Sequence, residues 1–347
     1  MKIWFPTIRA RSGSDVYVER LVAALREHGI DARLQWFESK YEYLPQALVG
    51  VMPPEGTTLI HANSWNGFAF ARPSIPLVVT AFHCVYRNGY PHWKSFAQSL
   101  YHDYWIGMYE HRSFRRADAI VVMTPSAAED FDQRFTMPSL TLIHGWVDTD
   151  VFTPGPPEVR HDGPTRILIV GNASKRKGID LLPKLITQLG DRFEVTVIGG
   201  LRSKDGKRDI GATFRRGLTR DELIGAYQAS DIVVSLSRYE GFGYSALEAM
   251  ACGKPVVAFN AVGIRDVVAS GVTGLLAPTN DLGSLVAFCE RLSLNPQEAQ
   301  EMGMLGRELS LTRFSKNAAV EAYVSLYEQL AGKTMSAAGR SSARQAS

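Results

Sequence analysis

Short runs of Val, Ile and Leu alternate with helical patterns along this chain, and the alternation starts afresh once, after a stretch crowded with proline and glycine. Before the break, Lys2–Pro6, Ala32–Phe37, Thr58–Ala62, Leu77–Phe82, Ala119–Met123 and Leu140–His144 read as strands. After it, Arg166–Val170, Glu194–Ile198, Asp231–Leu236, Pro255–Phe259 and Gly274–Ala277 do the same. The first connection, 15–29, has an acidic start at Asp15, apolar residues at helical spacing and a stop at Gly29, so it reads as a helix. Strands that alternate with helices build a parallel sheet covered on both faces. The fold class is therefore α/β, with two doubly wound sheets facing each other across a cleft.

The expected division is a first domain at 1–150, a linker at 151–163, a second domain at 164–315 and a terminal helix at 316–331 that packs back on the first domain. The Ser/Ala/Gly/Arg-rich stretch 332–347 is expected to be a disordered tail. Composition excludes several function classes. A net charge of +3 gives no reason to expect a nucleic-acid partner. Cys84, Cys252 and Cys289 are far apart and form no Cys-x-x-Cys, which points to reduced thiols, a cytoplasmic location and no zinc site. The opening Met-Lys-Ile-Trp-Phe-Pro is too short for a signal-peptide core, and no apolar run is long enough to span a bilayer.

The densest chemical signal is Arg238-Tyr-Glu-Gly-Phe-Gly-Tyr-Ser-Ala-Leu-Glu248. Two carboxylates, Glu240 and Glu248, flank a glycine-rich turn that follows a strand and opens a helix. The backbone N–H groups of Phe242, Gly243 and Tyr244 suit an anion at such a helix start. Glu248, one turn in, can accept two ribose hydroxyls; Glu240, before the turn, can reach a hexose. Ligands of open α/β sheets bind outside the carboxyl ends of the strands, where this turn falls. A solvated helix face is the plainer account of two glutamates, and the Gly-Phe-Gly and the following Gly-Lys-Pro-Val-Val argue against it.

In this setting the chain resembles the family 4 retaining glycosyltransferases, whose fold is GT-B: two Rossmann-like domains. Further segments agree: Val170-Gly-Asn-Ala-Ser-Lys-Arg-Lys-Gly-Ile-Asp180, Leu142-Ile-His-Gly-Trp-Val-Asp-Thr-Asp150 and Phe214–Asp231. The resemblance implies a first domain for the acceptor and a second for the nucleotide sugar. It implies Glu240, Lys177, Arg176 and His83 as catalytic residues, with Arg176 and Lys177 balancing the departing diphosphate. Gly241, Phe242, Gly243, Tyr244, Glu248 and Gly13 would contact the donor. Asn172 stands where the family often has arginine, and only Gly13 remains where it commonly has two adjacent glycines. His61 competes with His83 for the first-domain role.

The implied reaction moves a hexosyl unit from a nucleotide-diphosphate sugar to a hydroxyl with retention, in cell-surface polysaccharide or lipopolysaccharide synthesis. No cofactor or metal is expected: Asp148-x-Asp150 lies in the interdomain crossing, and basic residues already supply countercharge. The stretch 86–116 combines aromatics with basic residues, which suits peripheral attachment to the inner face of a membrane and a glycan or lipid-linked acceptor. It equally suits a core helix with a solvated basic face. Two rival functions are a nucleotide-sugar epimerase and a non-catalytic nucleotide-sugar binding protein. A Rossmann oxidoreductase would need Gly-x-Gly-x-x-Gly after the first strand, and Thr7-Ile-Arg-Ala-Arg-Ser-Gly-Ser lacks it.

Overall fold

The structure is a computed structural model, and it describes residues 1–10, 12–85, 100–135, 140–156, 163–172, 174–199 and 211–345, with side chains as far as Gly332. The chain divides into two compact units: Met1–His144 with Asn317–Ser347, and Gly145–Lys316.

The first unit is built on a six-stranded sheet. Its strands are β1 (Lys2–Ile8), β2 (Asp31–Phe37), β3 (Leu59–Asn63), β4 (Leu77–Ala81), β5 (Ala119–Val122) and β6 (Leu140–Leu142). They lie in the order β2-β1-β3-β4-β5-β6, all parallel. A parallel sheet is covered on both faces, which is why Leu-Val-Val-Thr-Ala in β4 and Ala-Ile-Val-Val in β5 are buried at every position. Trp4, Ile60, Phe70, Val79 and Phe131 form part of one core.

The second unit repeats the design. Its strands are β7 (Thr165–Gly171), β8 (Phe193–Gly199), β9 (Thr213–Arg215), β10 (Ile232–Ser235), β11 (Val256–Phe259) and β12 (Gly274–Ala277). They run parallel in the order β12-β11-β10-β7-β8-β9 over a core that includes Ile167, Leu185, Val197, Val234 and Leu285. In each unit the chain starts inside the sheet, builds outward on one side (β2 in the first unit, β8 and β9 in the second), then crosses to the other. The reversals fall between β1 and β3 and between β7 and β10. Such reversals open a crevice at the strands' carboxyl ends.

Three boundaries differ from those read in the sequence. The passage between units falls at His144–Gly145, not at 150. The described part of the expected linker is packed on the second unit: Phe152 is buried, Arg307 Nη1 donates to its carbonyl at 2.7 Å, and Gln228 Nε2 donates to Thr153 O at 2.9 Å. Residues 157–162 of that linker lie outside the described residues. The last helix runs Lys316–Gln345, past the 316–331 expected for it and through most of the stretch read as a tail. Ala and Arg are good helix formers and recur there, which a reading based on low hydrophobicity overlooks.

That helix belongs to the first unit through a buried polar cluster. Tyr17 and Tyr323 hydroxyls are hydrogen-bonded, and His61 bridges Tyr327 Oη and Thr80 Oγ1, both at 2.7 Å. Burial lowers the pKa of the ring from 6.5 to about 3, so it is held neutral, with one nitrogen to donate and one to accept. In the unfolded chain the same ring binds a proton near pH 6.5. The linkage sign follows: His61 adds nothing against stability above pH 6.5, and stability falls as pH drops from there toward 3. His61→Gln, which keeps a donor and an acceptor, should flatten this acid limb when urea midpoints are compared at pH 7 and pH 4.5. An unchanged pH dependence would contradict it.

Candidate functional site

The loop leaving β7 is a short 3-10 turn, Lys175–Lys177, closed at both ends by local chemistry. Ser174 Oγ accepts from Lys177 N at 3.3 Å, and Gly178 ends the turn at φ 73°. That left-handed backbone favours glycine. A Cβ there would also stand 2.3 Å from Leu236 O at the end of β10, so the turn lies directly against the neighbouring strand's exit.

The loop leaving β10 brings Glu240 to the same place. Its carboxylate is 9% exposed and accepts from three sources: Lys177 Nζ, Arg176 Nη1 at 3.3 Å and Ser237 Oγ at 2.6 Å. Arg176 Nη1 also donates to Tyr239 O at 2.5 Å. Burial would raise the pKa of Glu240. The ammonium of Lys177 and the guanidinium of Arg176, with hydrogen bonds from Lys177 and Ser237, outweigh it and hold the group at about 2. Glu240 is therefore held as an anion and serves as an acceptor. A carboxylate offers about four lone-pair positions. The three donors leave room for one more hydroxyl.

Gly243, at φ 97°, precedes the helix Tyr244–Ala251, so the backbone turns sharply from Glu240 into a helix start. Gly241 is half-buried and Gly243 buried. The Phe242 side chain packs inward, edge-on to Phe314 at 5.7 Å and against Tyr244 at 5.1 Å, so only its backbone is available to a ligand at the turn. Gly145 lies beneath these rings: a Cβ on it would meet Tyr244 Oη at 2.7 Å and Phe242 Cδ1 at 2.9 Å. Glu248 is one turn into the helix, buried, and accepts from Tyr227 Oη at 3.0 Å.

The structure thus brings Glu240, Lys177 and Arg176 into one cluster, continuous in sequence with Gly241–Tyr244 and with Glu248 on the helix that follows. His83 and Gly13 stand in the first unit. His83 is half-buried just past β4; its competitor His61 is committed to Tyr327 and Thr80. Gly13 opens the helix Gly13–Glu27 with nothing within 4 Å of a Cβ on it, so the protein's own packing sets no need for glycine there. Asn172 is half-buried at the end of β7. Asp148 accepts from Asp150 N at 3.3 Å and pairs with Lys316 at 3.8 Å. The buried thiols of Cys252 and Cys289 are both pushed up to about 12 by burial. Among the described residues no group of three or more His, Cys, Asp or Glu is placed to hold a metal, and no helix is long and apolar enough to cross a membrane.

Sequence reasoning assigned no role to Ser237, Arg238 or Gly263. Gly263, at φ 81°, lies against Glu240: a Cβ would come within 2.5 Å of Glu240 O and 2.8 Å of its Cβ. Glu240 N in turn donates to Val262 O at 2.9 Å. Gly271, at φ 80°, has nothing near it and serves as a control. Gly271→Ala should lose about 1–2 kcal/mol to backbone strain, whereas Gly263, at ψ −46°, lies outside the left-handed helical region and close to the strained γ-turn one. Gly263→Ala should lose clearly more in urea unfolding, because Glu240 must also move. Equal losses would show that the close approach has slack.

Two α/β units, each on a parallel sheet, are the fold of the GT-B glycosyltransferases. Two family models match the chain: Glycosyltransferase Family 4 over residues 38–151 and Glycosyl transferases group 1 over residues 156–309. The chain belongs to the family 4 glycosyltransferases. It is 29% identical over 250 residues to the D-inositol 3-phosphate glycosyltransferase of Corynebacterium jeikeium, a match covering 64% of this chain and 59% of that protein. The chain spans about half the length of the curated relatives it matches. Among solved structures, sucrose-phosphate synthase from Thermosynechococcus elongatus superposes with a TM-score of 0.78 at 22% identity, covering 95% of this chain and 99% of that one. Anabaena HepE, in complex with UDP and glucose, gives 0.74 at 18% identity, with 95% and 100% covered.

Proposed function

We propose that this protein transfers a hexosyl unit from a nucleotide-diphosphate sugar to a hydroxyl acceptor with retention at the anomeric carbon. The observation that carries this reading is the Glu240–Lys177–Arg176 cluster at the carboxyl ends of β7 and β10. A diphosphate adds further oxygens for Lys177 and Arg176 while Glu240 keeps a lone pair for a sugar hydroxyl. The Gly241–Tyr244 backbone faces a phosphate as the helix starts, and Glu248 takes the ribose. His83 hydrogen-bonds the sugar, and Gly13 leaves space for the donor.

In the reaction, the bond from the anomeric carbon to the phosphate oxygen breaks and a bond to the acceptor oxygen forms on the same face. The acceptor's proton passes to the departing phosphate oxygen. Lys177 and Arg176 balance the charge that grows on that oxygen. They supply the countercharge without a metal or other cofactor, so activity should survive EDTA; loss on chelation with recovery on adding Mg²⁺ would contradict this.

The acceptor is a cell-surface polysaccharide, lipopolysaccharide or lipid-linked glycan met at the inner face of a membrane. Of the 86–116 stretch, residues 86–99 lie outside the described residues. The remainder keeps Leu100, Tyr104, Trp105 and Met108 exposed, with Arg112 further along the helical segment and Arg115 just past its end. An inositol phosphate is a second acceptor reading, favoured by the name of the curated relative. The test incubates the protein with UDP-, GDP- and ADP-hexoses and a panel including inositol phosphate and lipid-linked glycans, with product anomers read by NMR. Transfer with retained configuration supports the proposal. Donor epimerised without an acceptor, or donor bound and never turned over, would replace it with one of the two rival readings.

A further inference from the structure

Arg238 comes two residues before Glu240, and its side chain is only 7% exposed. Its hydrogen bonds run to the loop that leaves β7. Nη1 and Nη2 donate to the two carboxylate oxygens of Asp180 at 2.7 and 2.8 Å, and Nη1 also donates to Lys175 O. Nε donates to Asn280 Oδ1 at 2.6 Å, and the backbone N donates to Arg176 O at 2.9 Å. Asn280 holds left-handed backbone at φ 71°, unusual for a residue other than glycine.

These bonds grip the turn that carries the two cations. Lys175 O and Arg176 O hold one end, the Asp180 carboxylate the other, and Lys177 lies within the span. A lysine ammonium sits on a flexible four-carbon stem and is costly to hold in one place. The planar guanidinium fork of Arg238 fixes the backbone from which that stem projects. The ion pair with Glu240 then has only the side chain to order.

We propose that Arg238 is a positioning residue: by clamping the Lys175–Asp180 turn it aims Lys177 and Arg176 at Glu240, and so at the diphosphate of a bound donor. The proposal rests on the reading of this cluster as the donor site.

The test uses the full chain carrying Arg238→Ala, Arg238→Lys or Asp180→Asn. Acylation of Lys177 by a small amine-reactive ester is followed by mass spectrometry, with exposed Lys40 as internal reference; kcat and KM for the donor are measured in parallel. In Arg238→Ala, Lys177 should react several times faster relative to Lys40. Turnover should fall about a hundredfold, mostly in kcat, the loss expected for a misplacement near 1 Å. Guanidinium ion, added below denaturing concentration, should restore part of both. Arg238→Lys should not restore them, because an ammonium cannot span Asp180 and Asn280 together. If Arg238→Ala does not fold, Asp180→Asn, which keeps the shape and removes the charge, decides by the same labelling ratio. Wild-type labelling of Lys177 in a folded variant overturns the proposal. If the wild type turns over no nucleotide sugar, the donor-site reading fails, and the labelling ratio still decides whether Arg238 aims the turn.

Discussion

Lys177→Ala is expected to lower kcat by roughly a hundred- to a thousandfold, the usual cost of removing one preorganised group that stabilises developing charge. The fold should survive, because the Lys177 side chain is 18% exposed and Glu240 keeps Arg176 and Ser237 as partners. What is lost is a cation fixed before the reaction begins. Water could solvate the leaving phosphate but would have to reorganise as charge develops. Initial rates at saturating donor, with circular dichroism on the same sample, make the comparison. A rate within threefold of wild type would remove Lys177 from the leaving-group role.

Glu240→Ala should act on both stability and turnover. Breaking a fully buried pair costs about 3–5 kcal/mol, since the surviving charge is left unpaired. Here the loss should be smaller, roughly 2–3 kcal/mol, because the Arg176 side chain is 31% exposed and can turn toward water. Lys177 has less freedom to do so. The pH dependence has a definite sign. The folded pKa near 2 lies below the ordinary 4.5, so Glu240 contributes fully above pH 4.5, and the contribution fades as pH falls toward 2. Urea unfolding of Glu240→Ala and wild type at pH 7 and pH 3 should show a gap that narrows at the lower pH. A gap that stays constant would mean that Glu240 is not held ionised by its neighbours.

Most of the sheet architecture was legible because parallel strands are buried on both faces and so appear as unbroken apolar runs. The strand that escaped notice, β9, is only Thr213–Arg215, half-exposed and at the sheet edge, with no such run. Glu240, Lys177 and Arg176 were legible because they follow strands at a spacing that carries chemistry. Arg238 lies in the same window and was not, since its partners Asp180 and Asn280 come near it only when β7 and β10 pair and the 280 turn folds alongside. Gly263 was hidden for a similar reason: nothing local marks it, and the need for glycine arises from the backbone of Glu240. The choice between His61 and His83 was open in the sequence because Tyr327, the partner that occupies His61, is 266 residues away.

The most direct measurement is the thermal stability of wild type and Lys177→Ala with UDP, GDP and ADP, each supplied well above its dissociation constant. At about a hundredfold excess over Kd, the nucleotide that belongs to the donor should add roughly 2.7 kcal/mol to the wild type. It should add much less to Lys177→Ala. Should none of the three stabilise the wild type, or should one stabilise both proteins equally, the cluster at the ends of β7 and β10 does not grip a diphosphate.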